Sequence, residues 1–170
     1  TDADHYIRIY TAPEARHTGV AGSGYFLAST DASGGLLYVT VADLRVEGLE
    51  LYAASTYSGP VVYLRPNTDD GMGEIHFSHN LIHGNRTATG HGLHNYDCRG
   101  VVKVWNNIIY DVGVAGSTAG LMNQVGTMYA YSNTVVDIVA GFALRSSGGI
   151  LARNNLTDAP GTDFYGSFAA

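Results

Sequence analysis

Residues 101–112 read VVKVWNNIIYDV. Val102 and Val104 alternate with Lys103 and Trp105, the pattern of a half-buried strand. The alternation then meets Asn106 and Asn107 before it resumes as Ile108-Ile109. Two adjacent amides inside an apolar run need a structural reason, because a buried amide without partners is costly.

The reason lies in repetition. IHFSHNLI at 75, VKVWNNII at 102, MYAYSNTV at 128 and ILARNNLT at 150 share one template, and LRVEGLEL at 44 fits it with Leu49 in place of Asn. Aligned on Leu49, Asn80, Asn107, Asn133 and Asn155, the repeats are 31, 27, 26 and 22 residues apart. Five positions upstream stand Leu44, Ile75, Val102, Met128 and Ile150, and three upstream stand Val46, Phe77, Val104, Ala130 and Ala152. Both columns are apolar. Gly92-Leu93, Gly120-Leu121 and Gly141-Phe142 form a further column of short strands, with PVVYL at 60–64 as an earlier member and GSF at 166–168 as a weaker last one. Each period therefore holds at least two short strands, and helical periodicity is nowhere sustained over the roughly 10–12 residues a helix needs. Such a period predicts an all-β solenoid over residues 1–170, one domain of about five to six coils, with like strands stacked about 4.8 Å apart in parallel sheets. An asparagine at a sharp turn then lies under that of the next coil, so each amide donates to one neighbour and accepts from the other.

Composition agrees with strands and turns. The chain has 22 glycines and 12 tyrosines, and charged residues make up 14% of it. The formal charge of -6 and the absence of a basic cluster leave no electrostatic footprint for nucleic acid. No apolar run approaches the roughly 20 residues that span a bilayer, so membrane insertion is not expected. Cys98 is the only cysteine, which rules out an internal disulfide and leaves the redox compartment open.

The repeated xNNxI turns resemble the asparagine ladders of right-handed parallel β-helix proteins, the pectin-lyase-like group. The resemblance runs from about residue 44 to 168 and extends to the strands YIRIY and LLYVTV before them. It implies a right-handed parallel β-helix with Asn80, Asn107, Asn133 and Asn155 as its ladder. The group includes polysaccharide lyases, polygalacturonase-like hydrolases, phage tailspikes and non-catalytic surface or virion modules, so the fold leaves function open. NTDDG at 67–71 and GHGL at 90–93 resemble polygalacturonase motifs, which would make Asp69, Asp70 and His91 the catalytic residues. His91, however, precedes its strand whereas the aspartates follow theirs, and no RIK motif follows.

Asp111 and Asp137 share one offset after their ladder asparagines and are candidates to hold Ca²⁺, with turn closure as the alternative. Five histidines, at 76, 79, 83, 91 and 94, fall close together but match no ligand spacing. Outward positions should stack Trp105, Tyr131 and Arg153 on consecutive coils with Tyr129 beside them, a flat aromatic row suited to sugar rings or a protein partner. The strand edges at the two ends need covering, so Ile7, Ile9 and Phe168 are expected to meet flanking domains or further copies of the chain stacked head to tail. The resulting expectation is a non-catalytic structural or assembly module of an extracellular filament, virion or cell surface, with a polysaccharide as a possible ligand. A hydrolase or lyase acting on an acidic glycan is the alternative.

Overall fold

The computed structural model describes residues 4–29, 35–54, 59–66, 73–84, 90–113, 116, 118–166 and 168. Among them the chain forms 18 strands, three to a coil. The first three coils comprise β1 (Ile7–Tyr10), β2 (Phe26–Ser29) and β3 (Leu37–Val39); β4 (Leu44–Glu47), β5 (Glu50–Ala53) and β6 (Val62–Leu64); and β7 (Glu74–Ser78), β8 (Leu81–Gly84) and β9 (His91–Asn95). The next three comprise β10 (Val101–Trp105), β11 (Ile108–Tyr110) and β12 (Ala119–Asn123); β13 (Thr127–Tyr131), β14 (Thr134–Val136) and β15 (Ala140–Leu144); and β16 (Gly149–Arg153), β17 (Leu156–Asp158) and β18 (Thr162–Tyr165). Like strands pair in parallel into three six-stranded sheets: β1-β4-β7-β10-β13-β16, β2-β5-β8-β11-β14-β17 and β3-β6-β9-β12-β15-β18. The chain is a parallel β-helix with a triangular coil, one strand more per period than the sequence minimum. The extra strand is the short run after each asparagine, such as Ile108–Tyr110, too brief to show a period of its own.

The apolar columns read from the sequence face inward. Leu44, Ile75, Val102, Met128 and Ile150 are in register along the first sheet, as are Val46, Phe77, Val104, Ala130 and Ala152. The second sheet contributes Leu51, Ile82, Ile109 and Val135, and the third contributes Val62, Leu93, Leu121 and Phe142. Phe77 and Phe142 are fully buried, each worth about 1.5–3 kcal/mol relative to exposure. The last strand of the third sheet is Thr162–Tyr165, not the GSF segment, because Phe164 rather than Phe168 continues the column below Phe142. At the other end, Ile7 and Ile9 continue the inward columns of the first sheet, yet they are 44% and 36% exposed. Phe168 packs against the core and meets the Phe164 ring edge-on at 5.3 Å.

The corner between the first and second sheets answers the opening question. His79, Asn106, Ser132 and Asn154 each turn the chain with φ between 54° and 56°, a left-handed conformation that asparagine tolerates better than most residues. The next residue in each case is the ladder asparagine, 0–1% exposed at Asn80, Asn107 and Asn133. The side-chain amides of Asn80, Asn107 and Asn133 donate to the Oδ1 of the following asparagine, each at 3.0 Å. The same Oδ1 atoms also accept the backbone N–H groups of Asn80, Asn107 and Asn133 at 3.0, 3.1 and 2.8 Å. Second amide hydrogens go back to the carbonyls of Val46, Phe77 and Val104. The polar atoms are thus satisfied by the stacking itself.

Gly92, Gly120 and Gly141 open the third-sheet column for a steric reason. A Cβ at Gly120 would sit 2.2 Å from Val135 Cγ1, and one at Gly92 would sit 2.5 Å from Ile109 Cγ2. The glycines let the third sheet kink against the second, so that His91, Ala119 and Ala140 point outward while Leu93, Leu121 and Phe142 point in.

Candidate functional site

The outward face of the first sheet carries the row expected from the sequence. Trp105, Tyr131 and Arg153 lie on consecutive strands in register, with Lys103 and Tyr129 paired beside them. Tyr129 and Tyr131 rings stand 6.0 Å apart. Toward the N-terminal coils this row runs into a half-open cleft of about 300 Å³. Trp105 and Tyr6 supply its aromatic walls, and Arg8, Arg45, Glu47 and His76 supply its polar groups.

Strand periodicity puts these groups there. Arg8, Arg45, His76 and Lys103 form one outward column, and Tyr10, Glu47, Ser78 and Trp105 form the next. The Glu47 carboxylate accepts from Arg8 at 2.8 Å and from Arg16. The hydrogen bond from Arg8, with that from Arg16, holds the Glu47 carboxyl below its usual range. Glu74 is held low in the same way, by Lys103 at 2.8 Å first and then by His76 at 2.8 Å. Burial keeps His76 neutral more readily than a free imidazole, and its ring meets Trp105 edge-on at 5.5 Å. The Arg45 guanidinium lies 3.5 Å above the Tyr6 ring centroid, a cation–π contact. The arrangement offers carboxylate acceptors, guanidinium donors and aromatic faces along one groove.

The other sequence candidates separate onto different faces. His76 is on the first sheet, His79 at the corner, His83 on the second sheet, and His91 and His94 on the third. Among the described residues no group of three or more His, Cys, Asp or Glu side chains converges as a metal site would. Asp111 and Asp137 both turn the chain with φ of 55° and 56°, the backbone role weighed against Ca²⁺ binding. Asp69 and Asp70 lie outside the described residues. His91 belongs to the third-sheet face: its Nδ1 accepts the Ala119 N–H at 3.1 Å, and burial pushes its pKa down to about 3, helped by His94 and Arg145.

Three features escaped the sequence reading. Asn95 and Asn123 form a second asparagine stack inside the third sheet, both 0% exposed, with Asn95 Nδ2 donating to Asn123 Oδ1 at 2.7 Å. The paired motifs GLHN at 92–95 and GLMN at 120–123 were its signal. Next, the outward face of the third sheet gathers aromatic rings: Tyr63 lies 5.4 Å from Tyr38, 5.4 Å from His94 and 5.5 Å from Tyr96, and Arg65 stacks on Tyr96 at 5.2 Å. Finally, the second sheet buries Glu50, whose carboxylate meets His83 at 3.0 Å and accepts the Gly22 N–H, while the His83 ring stacks between Tyr52 and Tyr110 at 4.8 and 5.0 Å. Glu50 is 1% exposed, sealed under the segment that carries Gly22, so this pair braces the segment and is closed to a large ligand.

Comparison with known proteins found no matching family model, no matching curated protein and no matching solved structure.

Proposed function

We propose that the chain is a non-catalytic β-helix module, of the kind found in the pectin-lyase-like group, that binds a glycan along the outward face of its first sheet. The observation that carries this reading is the in-register row from the Tyr6–Trp105 cleft to Tyr131 and Arg153. Flat indole and phenol rings present apolar area to sugar C–H faces with little rotamer entropy to lose, and the flanking carboxylates and guanidinium groups match hydroxyl donors and acceptors. An open groove across successive coils suits an extended chain of sugars. On this reading the module works outside the cell, on a surface, filament or virion, where such polymers are met.

The Glu47 carboxylate of the cleft and the Glu74 carboxylate beside Lys103 favour binding over hydrolysis at this face. Glycoside hydrolysis needs one carboxylic acid whose pKa is raised so that it can protonate the leaving oxygen. Glu47 and Glu74 are both shifted the other way by their cationic partners.

The test is calorimetric binding of soluble oligosaccharides, neutral and acidic, to the wild type and to Trp105→Ala and Tyr131→Ala, with a parallel assay for released reducing ends. The expected result is saturable binding of at least one oligosaccharide, weakened at least tenfold by Trp105→Ala, without turnover. Turnover would replace this reading with a polysaccharide-active enzyme. Binding that ignores both substitutions would move the site off this face.

A further inference from the structure

On the third sheet the outward face changes character between its third and fourth coils. Tyr38, Tyr63 and His94 occupy one outward column, and the next strands continue it with Met122, Ala143 and Tyr165. In the neighbouring column His91 gives way to Ala119, Ala140 and Thr162. Replacing rings by small side chains leaves a depression. Ala119, Met122, Ala140 and Ala143 point away from the coil interior yet are at most 7% exposed, a separate apolar cluster outside the main core. The cavity there is about 230 Å³, and Val139 and Tyr165 complete its apolar walls.

One charged group borders it. Arg145 lines the cavity, no acidic residue does, and no salt bridge occupies its guanidinium among the described residues. The contrast with the first sheet is direct, since Arg8, Arg16 and Lys103 there each face a carboxylate. An exposed arginine beside a mostly apolar pocket, in a chain of net charge -6, is a local attraction for an anion. His91 and His94 nearby add no competing charge, since burial lowers them to about 3 and about 4.

We propose that this cavity is a binding site for a small amphiphilic carboxylate, its short apolar body over Met122, Ala140 and Ala143 and its carboxylate on the Arg145 guanidinium. The size sets the apolar part. An apolar cavity of about 150 Å³ holds benzene, and drug-sized ligands take about 300 Å³ or more. A site of about 230 Å³ therefore fits a body of about six to eight carbons. Guanidinium and carboxylate match as a two-pronged hydrogen-bonded pair, which gives the site its choice of anion. The site is on a different sheet from the proposed glycan groove, so the two readings stand or fall separately.

The experiment is a ¹H–¹⁵N NMR titration of the full chain with hexanoate, hexanol and hexylamine as probes, repeated on Arg145→Gln and Ala143→Leu. The expected result is saturable shifts at Met122, Ala143 and Arg145 with hexanoate, at least tenfold weaker binding in Arg145→Gln, and no binding of hexylamine. Ala143→Leu fills the cavity and should abolish the response. If that variant does not fold, Arg145→Gln decides, because Arg145 is exposed and its replacement leaves the coil intact. Equal responses to all three probes, no saturable response to hexanoate, or hexanoate affinity unchanged in Arg145→Gln would each overturn the proposal.

Discussion

The first and third sheets are wound from the same coils, and both keep apolar columns inside, yet their polar residues are spent in different ways. The first sheet ends at a corner where four asparagines stack without interruption, and its outward face is a groove of ion pairs around Trp105. The third sheet holds only a pair of stacked asparagines within its strands, and its outward face is a bank of rings and neutral histidines leading to an apolar cavity. The difference teaches that a β-helix coil imposes the inward columns but leaves each outward face free to carry its own chemistry.

The largest separation between the two sheets should come from their asparagines. Asn107→Leu removes the acceptor shared by the Asn80 backbone and side-chain amides, and it also takes a donor from Phe77 O and Asn133 Oδ1. Several buried polar atoms lose a partner at once, so unfolding free energy should fall by about 3 kcal/mol in urea denaturation. Asn123→Leu should cost less, about 2 kcal/mol, because Asn95 Nδ2 keeps the carbonyls of Cys98 and Val125 when Asn123 Oδ1 is gone. Equal losses for the two substitutions would mean that ladder length adds nothing to each rung.

Acid separates the sheets next. The unfolded His91 takes up a proton near pH 6.5, while the folded ring resists protonation down to about pH 3. Between those values the unfolded state binds more protons, so stability falls as pH falls, and none of this loss is present above pH 6.5. His91→Gln keeps an acceptor for the Ala119 N–H and should flatten the decline across that window in thermal melts. The smallest effect belongs to the first sheet. The Glu47 carboxyl is held below its ordinary value of 4.5, so its contribution is complete above that pH and is lost only as pH falls below it. Glu47→Gln should therefore leave the slope above pH 4.5 unchanged and reduce the loss below it. A decline in stability between pH 6.5 and 4.5 that Glu47→Gln flattens more than His91→Gln does would reverse the assignment of acid sensitivity to the third sheet.

The first sheet was legible in the sequence because its landmarks coincide. Its last four strands, β7, β10, β13 and β16, alternate and each ends on a left-handed turn residue followed by an asparagine, so Trp105, Tyr131 and Arg153 could be placed in one row by counting back from the ladder. The second sheet was not, since strands of three residues such as Thr134–Val136 are too short to carry a period. On the third sheet the glycine kink puts Gly92 and Leu93 on the same side, which breaks alternation and hides the outward column of Tyr63, His94 and Met122. The five clustered histidines suggested proximity, but the chain turns two corners between His76 and His91 and spreads them over three faces. Long-range register, not spacing along the chain, decides which side chains meet.

Trp105 is the only tryptophan in the chain, so its fluorescence reports on the proposed glycan face without a label. The most direct measurement is a titration of that emission with a series of neutral and acidic oligosaccharides of increasing length. The account predicts a saturable change in intensity and wavelength for at least one series, growing in affinity with length as more coils are engaged, and diminished in Tyr131→Ala. An emission spectrum that stays constant through every series, while calorimetry on the same samples records oligosaccharide binding, would contradict it.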